Sequence, residues 1–145
     1  FLTSFNNIIL TRDPKDVILS YYKHIKEPSI LDLCYEIQHQ LVEYLIDVKH
    51  PPLVIDSKQV LMDTEYTLKK MCDSLAIDFT KKMLSWKAGP LKEDGVWAKY
   101  WYHNVHKTTS FGNYQNSSKP IPKSLIPIYE KCLVHYNEIL TYQLK

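Results

Sequence analysis

The stretch Asn6–His24, which reads NNIILTRDPKDVILSYYKH, decides the fold that we predict for this chain. Its first half, 7–11, is a short apolar run rich in β-branched residues, which is typical of a buried strand. Asp13 is a candidate helix N-cap, and Pro14 would take the first helical position, where its missing N–H costs nothing. Apolar residues then recur at helical spacing, at Val17, Ile18, Tyr21, Tyr22 and Ile25. The pattern therefore predicts a strand, a tight turn and a helix.

This arrangement places Arg12 at the carboxyl end of the predicted strand, beside a helix N-terminus. Free N–H groups at a helix N-terminus attract anions, and open α/β sheets bind ligands at the carboxyl ends of their strands. Ser20 follows eight residues later on the same helix, with Lys15 and Lys23 nearby. The stretch is therefore a candidate anion site.

The segment from Arg12 to Val17, followed by Ser20-Tyr21-Tyr22, resembles the RNPKDVxxSYY segment of sulfotransferases. In that family the arginine and the serine hold the 3′-phosphate of the sulfuryl donor, 3′-phosphoadenosine 5′-phosphosulfate (PAPS). The resemblance thus implies that Arg12 and Ser20 bind the 3′-phosphate. The alternative is a strand-end arginine and a solvent-exposed helix serine in an unrelated α/β protein.

A second stretch, Trp86–Lys99, looks like a variant of the sulfotransferase segment RKGxxGDWK, a late loop that closes over the same phosphate. The resemblance implies five further donor contacts: Lys87, Gly89, Gly95, Trp97 and Lys99. The spacing between the glycines is longer than in the family pattern, and Val96 replaces the acid before the tryptophan. The continuation GVWAKYWY is similar to a subset of sulfotransferase-like domains, some of them fused to aminotransferases. The alternative is a hydrophobic loop packed against the core.

Elsewhere, Ser29 and Asp32 have the spacing of a capping box and open a predicted helix over 30–49. Its apolar stripe consists of Ile30, Leu33, Cys34, Ile37, Leu41, Tyr44, Leu45 and Val48. The run 53–55 is a second strand candidate, with Asp56 at its end. Two strands joined by a helical crossover predict a parallel pair.

Further helices are expected after Asp63 or Thr64 and from Asp78 through Leu84, and a closing helix over 125–140 has Pro127 in its first turn. The fold class is therefore α/β, with a partial P-loop-type parallel sheet of two recognisable strands, several flanking helices and a helix-rich C-terminal half.

Composition narrows the function classes. With 145 residues, 45% hydrophobic and 23% charged, the chain is one globular domain or part of one. A net charge of +2 is too small to indicate nucleic acid or a membrane surface as partner, and no apolar run is long enough to span a bilayer. The three cysteines, Cys34, Cys72 and Cys132, are dispersed, which predicts reduced core thiols and favours a cytoplasmic location.

His103 and His106 stand three residues apart, but without cysteine or acidic partners nearby they are too weak a pattern for a metal site, and we expect none. His24 follows the first motif at a position where sulfotransferases often carry an aromatic contact to the acceptor; we do not assign it as a base.

Sulfuryl transfer needs positive charge or N–H groups at the leaving oxygen, and a base for the acceptor. In the family these come from an N-terminal strand–loop–helix and a histidine, both upstream of the Arg–Ser motif. The chain has no GxxxxGK[ST] loop and begins at Phe1. We therefore predict a single, incomplete sulfotransferase-like domain over 1–145, inactive alone and without a catalytic residue of its own.

The predicted function is transfer of a sulfuryl group from PAPS to a hydroxyl or amine of a small-molecule or glycan acceptor, without a metal. Two alternatives stay open. One is a non-catalytic module that binds a nucleotide or phosphate in the same place, and the other is a helical interaction domain.

Overall fold

A computed structural model describes residues 1–144 of the chain. Two strands, β1 (Ile8–Thr11) and β2 (Leu53–Asp56), pair in parallel, with Ile8 opposite Leu53 and Thr11 opposite Asp56. Both strands therefore end at the same edge, where Arg12 and Asp56 lie. This confirms the predicted α/β class and its parallel pair.

Helices make up most of the remaining described chain. The α-helices are α1 (Pro14–Tyr21), α2 (Ile30–Leu33), α3 (Tyr35–Asp47), α4 (Ser57–Met62), α5 (Thr64–Leu75), α6 (Ala98–Trp101) and α7 (Ile126–Leu140). Short 3₁₀ turns cover Leu2–Ser4, Lys81–Leu84, Val105–Lys107 and Lys123–Leu125. Within residues 1–144, no helix combines the length and the apolar character that a membrane crossing requires.

The start of α1 follows the predicted chemistry. The Asp13 carboxylate accepts a hydrogen bond of 2.8 Å from the backbone N–H of Lys15, and Pro14 occupies the first helical position. Pro14 and Ile18 are buried, so this helix is packed against the core along one face. The Asp13 cap and the buried side chains of Pro14 and Ile18 thus fix the turn between β1 and α1.

The single helix predicted over 30–49 is wrong. Ser29 and Asp32 do form the capping box, but Cys34 adopts a left-handed backbone conformation, with φ of 57°, and separates α2 from α3. Tyr35, the first residue of α3, is then buried, and its hydroxyl donates a 2.7 Å hydrogen bond to the Arg12 carbonyl. A tertiary contact therefore interrupts a helix that the local pattern favours.

The break also shifts which side of the helix is buried. A left-handed residue turns the chain, so the residues after it begin a new helical phase. Tyr35, Val42 and Leu45 face the core. Ile37 and Tyr44, which belong to the predicted stripe, are about half exposed.

The helix expected from Asp78 is also replaced by a shorter element. The chain from 76 to 80 is irregular, and a 3₁₀ turn over Lys81–Leu84 begins after Thr80. The 3₁₀ turn spans only four residues, because i→i+3 hydrogen bonding seldom extends over a longer run.

The closing helix α7 lies at the centre of the core, with Pro127 in its first turn as predicted. It packs mainly on α3 and also on α1 and β2. Val42, Val54 and Ile139 form one fully buried cluster between α3, β2 and α7. His39 on α3 and His135 on α7 approach to 3.1 Å between their Nδ1 atoms, which is hydrogen-bond distance.

The prediction of three core thiols holds for two of them. Cys72 and Cys132 are fully buried, and burial raises the pKa of the Cys132 thiol to about 11. Cys34 is exposed, because it occupies the left-handed turn outside the core. The three thiols therefore differ sharply in access to solvent.

We expect one of the three thiols to react fast with a thiol reagent at pH 8. Cys34 is accessible, whereas Cys132 is both buried and protonated at that pH. Mass spectrometry after brief treatment with iodoacetamide should find the modification on Cys34, and Cys34→Ser should abolish the fast phase. Equal labelling of Cys132 in the folded protein would contradict its placement.

Ile139→Ala should lower the free energy of unfolding by about 2–5 kcal/mol, because it leaves a cavity in a fully buried cluster. Val134→Ala, on an exposed side of the same helix, should cost no more than about 0.5 kcal/mol. Urea unfolding followed by circular dichroism measures both. Similar midpoints for the two variants would show that α7 does not pack as described.

Candidate functional site

A cavity of about 650 Å³ lies beside α1, near the edge where β1 ends. One wall comes from the strand end and the outer side of α1, and the other comes from two loops late in the chain. The lining residues are Arg12, Asp16, Leu19, Ser20, Tyr22 and Lys23 on the first wall, and Asn104, Ser117, Lys119, Pro120 and Pro122 on the second. Arg12 and Ser20, the two residues predicted from the first motif, therefore line the same cavity.

Arg12 is the single arginine of the chain, and its backbone and side chain are both restrained. Its carbonyl accepts the hydrogen bond from the buried Tyr35 hydroxyl, and burial is the main reason why the pKa of Tyr35 is raised. Its Nη2 atom lies 3.4 Å from a carboxylate oxygen of Asp16, one helical turn further on. The guanidinium is still about half exposed, at 53%, so it remains accessible to a ligand.

The electrostatics of the cavity favour an anion. Arg12, Lys23 and Lys119 contribute cationic side chains, against the single carboxylate of Asp16. Ser20, on the outer side of α1, adds a hydroxyl. A guanidinium together with hydroxyl and ammonium donors is a combination that suits a phosphate group.

The second predicted segment does not reach this cavity with the residues assigned to it. The described residues that line the cavity do not include any of the five residues predicted to contact the donor: Lys87, Gly89, Gly95, Trp97 and Lys99. Lys87 and Trp97 are exposed, and the Lys99 ammonium lies 4.8 Å from the centroid of the Tyr100 ring. Asn104 is the residue of this loop that lines the cavity.

The two glycines of that segment have local roles in the loop. Gly89 has φ of 117°, a backbone conformation that favours glycine, and its N–H donates a 2.8 Å hydrogen bond to the carbonyl of His106. The carbonyl of Gly95 accepts from the N–H of Ala98 and thereby begins α6. Ligand contacts by these glycines, and by Lys87, Trp97 and Lys99, stay a prediction.

Side-chain contacts tie the loop together. The His106 ring lies 2.8 Å from a carboxylate oxygen of Asp94. The pKa of Asp94 is lowered, first by the hydrogen bond from the Leu91 N–H and also by His106. Throughout residues 1–144, no three histidine, cysteine, aspartate or glutamate side chains come together as metal ligands. His106 therefore has a partner within the loop, the carboxylate of Asp94.

Sequence reasoning missed the second wall of the cavity. The segment 117–122 is rich in serine, lysine and proline and precedes the closing helix. Nothing local marks it as part of a site, because the contact that places it is 102 residues away in sequence: the Lys15 ammonium donates a 2.9 Å hydrogen bond to the Ser117 carbonyl.

Asp56, at the end of β2, has a structural role. One carboxylate oxygen accepts from the Lys58 N–H and caps α4, and the other accepts a 3.0 Å hydrogen bond from the Tyr136 hydroxyl. Burial and the neighbouring Asp56 charge raise the pKa of Tyr136. Both residues line a separate cavity of about 620 Å³ between α4, α5 and α7.

The fold and the cavity define a class: an α/β protein with a cationic cavity at the carboxyl end of a parallel strand. The sequence model of the sulfotransferase domain family matches residues 4–132. The chain therefore belongs to the sulfotransferase domain family, which confirms the resemblance found in the first motif.

Two proteins of Arabidopsis thaliana are similar to the chain over 131 residues. They are the branched-chain-amino-acid aminotransferase-like proteins 1 and 2, with 38% and 36% identity. The aligned region covers 90% of this chain and 23% of each relative, so the chain spans less than a quarter of their length. No solved structure matches the chain significantly.

Tyr35→Phe should lower the free energy of unfolding by about 1–2 kcal/mol, because the Arg12 carbonyl loses its hydrogen-bond donor. Tyr44→Phe, which removes a half-exposed hydroxyl from the same helix, is the matched control and should have little effect. Thermal and urea unfolding compare the two variants. If both are as stable as the unchanged protein, the Tyr35 hydroxyl does not hold the strand end.

Proposed function

We propose that this chain is part of a sulfotransferase that uses PAPS, and that it holds the 3′-phosphate of the donor with Arg12 and Ser20. The observation that carries the proposal is that both line one cavity, although they lie eight positions apart in the sequence. Membership of the sulfotransferase domain family supports the reaction class. The acceptor would supply a hydroxyl or an amine.

Arg12 would donate charge-assisted hydrogen bonds to the phosphate oxygens, and Ser20 would donate its hydroxyl proton to another of them. Asp16 restrains the guanidinium from one side, which reduces the freedom that is lost when the ligand binds. The hydrogen bond from Tyr35 fixes the backbone at the same point. Together these contacts would fix one end of the donor.

The contribution of this chain to the reaction would be positioning. The 3′-phosphate is remote from the sulfuryl group, so a tight hold on it orients the reacting end without contact with the reacting atoms. Stabilisation of the leaving oxygen and the base for the acceptor would come from residues outside 1–145. Binding and transfer can therefore be tested separately.

Arg12→Ala should weaken the binding of adenosine 3′,5′-bisphosphate by about 10- to 150-fold, since a charge-assisted contact is worth about 1.5–3 kcal/mol. Ser20→Ala removes one hydroxyl donor and should cost about 1 kcal/mol. Lys131→Ala, which removes an exposed positive charge from α7, is the control and should bind normally. Isothermal titration of the full-length gene product measures the affinities.

Adenosine 5′-phosphate separates the 3′-phosphate from the rest of the ligand. Its affinity should be weaker and nearly insensitive to Arg12→Ala. Equal binding of the bisphosphate by the unchanged protein and by Arg12→Ala would refute the assignment. Binding of the bisphosphate without sulfuryl transfer in the full-length protein would support the non-catalytic binding module instead, and a flat titration would support an interaction domain.

A further inference from the structure

The segment 117–122 forms most of the second wall of the cationic cavity, and one of its residues is a lysine. Ser117, Lys119, Pro120 and Pro122 all line the cavity. We propose that Lys119 binds the phosphate from this wall, and that Lys15 positions the segment that carries it. The proposal rests on the proposed function, because it adds a third contact to the phosphate held by Arg12 and Ser20.

The segment is held close to α1 by a specific contact. Lys15 lies in the first turn of α1, and its ammonium donates a 2.9 Å hydrogen bond to the Ser117 carbonyl. A hydrogen bond from a charged donor is stronger than a neutral one, so this contact favours the close arrangement of the two walls. Lys15 would thus act through Ser117 and not on the ligand.

The local chemistry of the segment limits its freedom. The Lys119 N–H donates to the Ser117 hydroxyl oxygen over 3.4 Å, a weak turn contact that starts the segment. Pro120 and Pro122 each have a fixed φ. Lys119 lies between the turn at Ser117 and these prolines, so fewer backbone conformations are open to it. A restrained backbone leaves the long lysine side chain as the adjustable part.

The charges of the cavity indicate why a second-wall cation matters. Arg12 and Lys23 lie on the α1 side, where Asp16 offsets part of their charge. Within residues 1–144, Lys119 is the cationic side chain from the later half of the sequence that lines the cavity. A phosphate monoester carries a charge of about −1.5 to −2 at pH 7, and cations on two sides would neutralise it better than cations on one.

Lys119 lines the cavity, whereas the two lysines that the resemblance assigned to the phosphate do not. Lys87 and Lys99 were expected to close over the phosphate, but neither lines the cavity among the described residues. A lysine about twenty residues further along does so instead.

Lys119→Met should weaken the binding of adenosine 3′,5′-bisphosphate about tenfold in the full-length gene product, and Lys119→Gln should give a similar loss. Neither change should alter the affinity for adenosine 5′-phosphate, since the lost contact is to the 3′-phosphate. The salt dependence of bisphosphate binding should also become less steep. Lys123→Met, which removes an exposed charge from the adjoining 3₁₀ turn, is the control and should bind normally.

Lys15→Met should weaken bisphosphate binding about three- to fivefold through loss of the contact with Ser117. Lys15→Arg, which keeps a charged donor, should restore most of the affinity, a rescue that general damage to α1 would not allow. If Lys119→Met and Lys119→Gln bind the bisphosphate normally while Arg12→Ala does not, the role of Lys119 is wrong and the proposed function stands. If the unchanged protein fails to bind the bisphosphate, both are wrong.

Discussion

The hydrogen bond from the Tyr35 hydroxyl to the Arg12 carbonyl links the core of this protein to its candidate site. Tyr35 is buried, and its ring lies edge-on to Tyr136 of α7 with 6.4 Å between the ring centroids. The contact requires α3 to begin immediately after a left-handed residue, at Cys34. A polar group buried at this point without a partner would be costly, so the break between α2 and α3 and the geometry of the strand end support each other.

The position of the cavity follows from the parallel pairing of β1 and β2. Both strands end at the same edge, and each is followed at once by an N-capped helix, with Asp13 and Asp56 as the caps. On the α1 side this edge presents a guanidinium and a hydroxyl. On the side of β2 it presents a buried carboxylate that is already occupied by Tyr136. The two halves of this edge therefore differ in chemistry: the β1 side lines a cationic cavity, whereas the carboxylate on the β2 side is used in packing.

The two late segments that approach α1 also differ in how they are held in place. The loop over 86–111 is closed by its own hydrogen bonds, among them those of Trp86 with Thr109 and of Gly89 with His106. It carries several exposed aromatic side chains and contributes Asn104 to the cavity. The segment 117–122 is held by the hydrogen bond from Lys15 to the Ser117 carbonyl and by the packing of Ile121 against the core. One of the three cationic side chains of the cavity, Lys119, thus comes from a segment that is hydrogen-bonded to Lys15 of α1.

The features with a local cause can be read from the amino-acid sequence: the strand before Arg12, the cap and proline that start α1, and the spacing of Arg12 and Ser20. The nearly contiguous Arg–Ser motif also indicated the family, which the family model over residues 4–132 confirmed. Tertiary structure alone decided the break at Cys34, because the partner of the Tyr35 hydroxyl lies 23 residues away in sequence. Tertiary structure also placed Lys119 at the cavity, since the hydrogen bond that holds its segment joins residues 102 positions apart, a contact that no local pattern records.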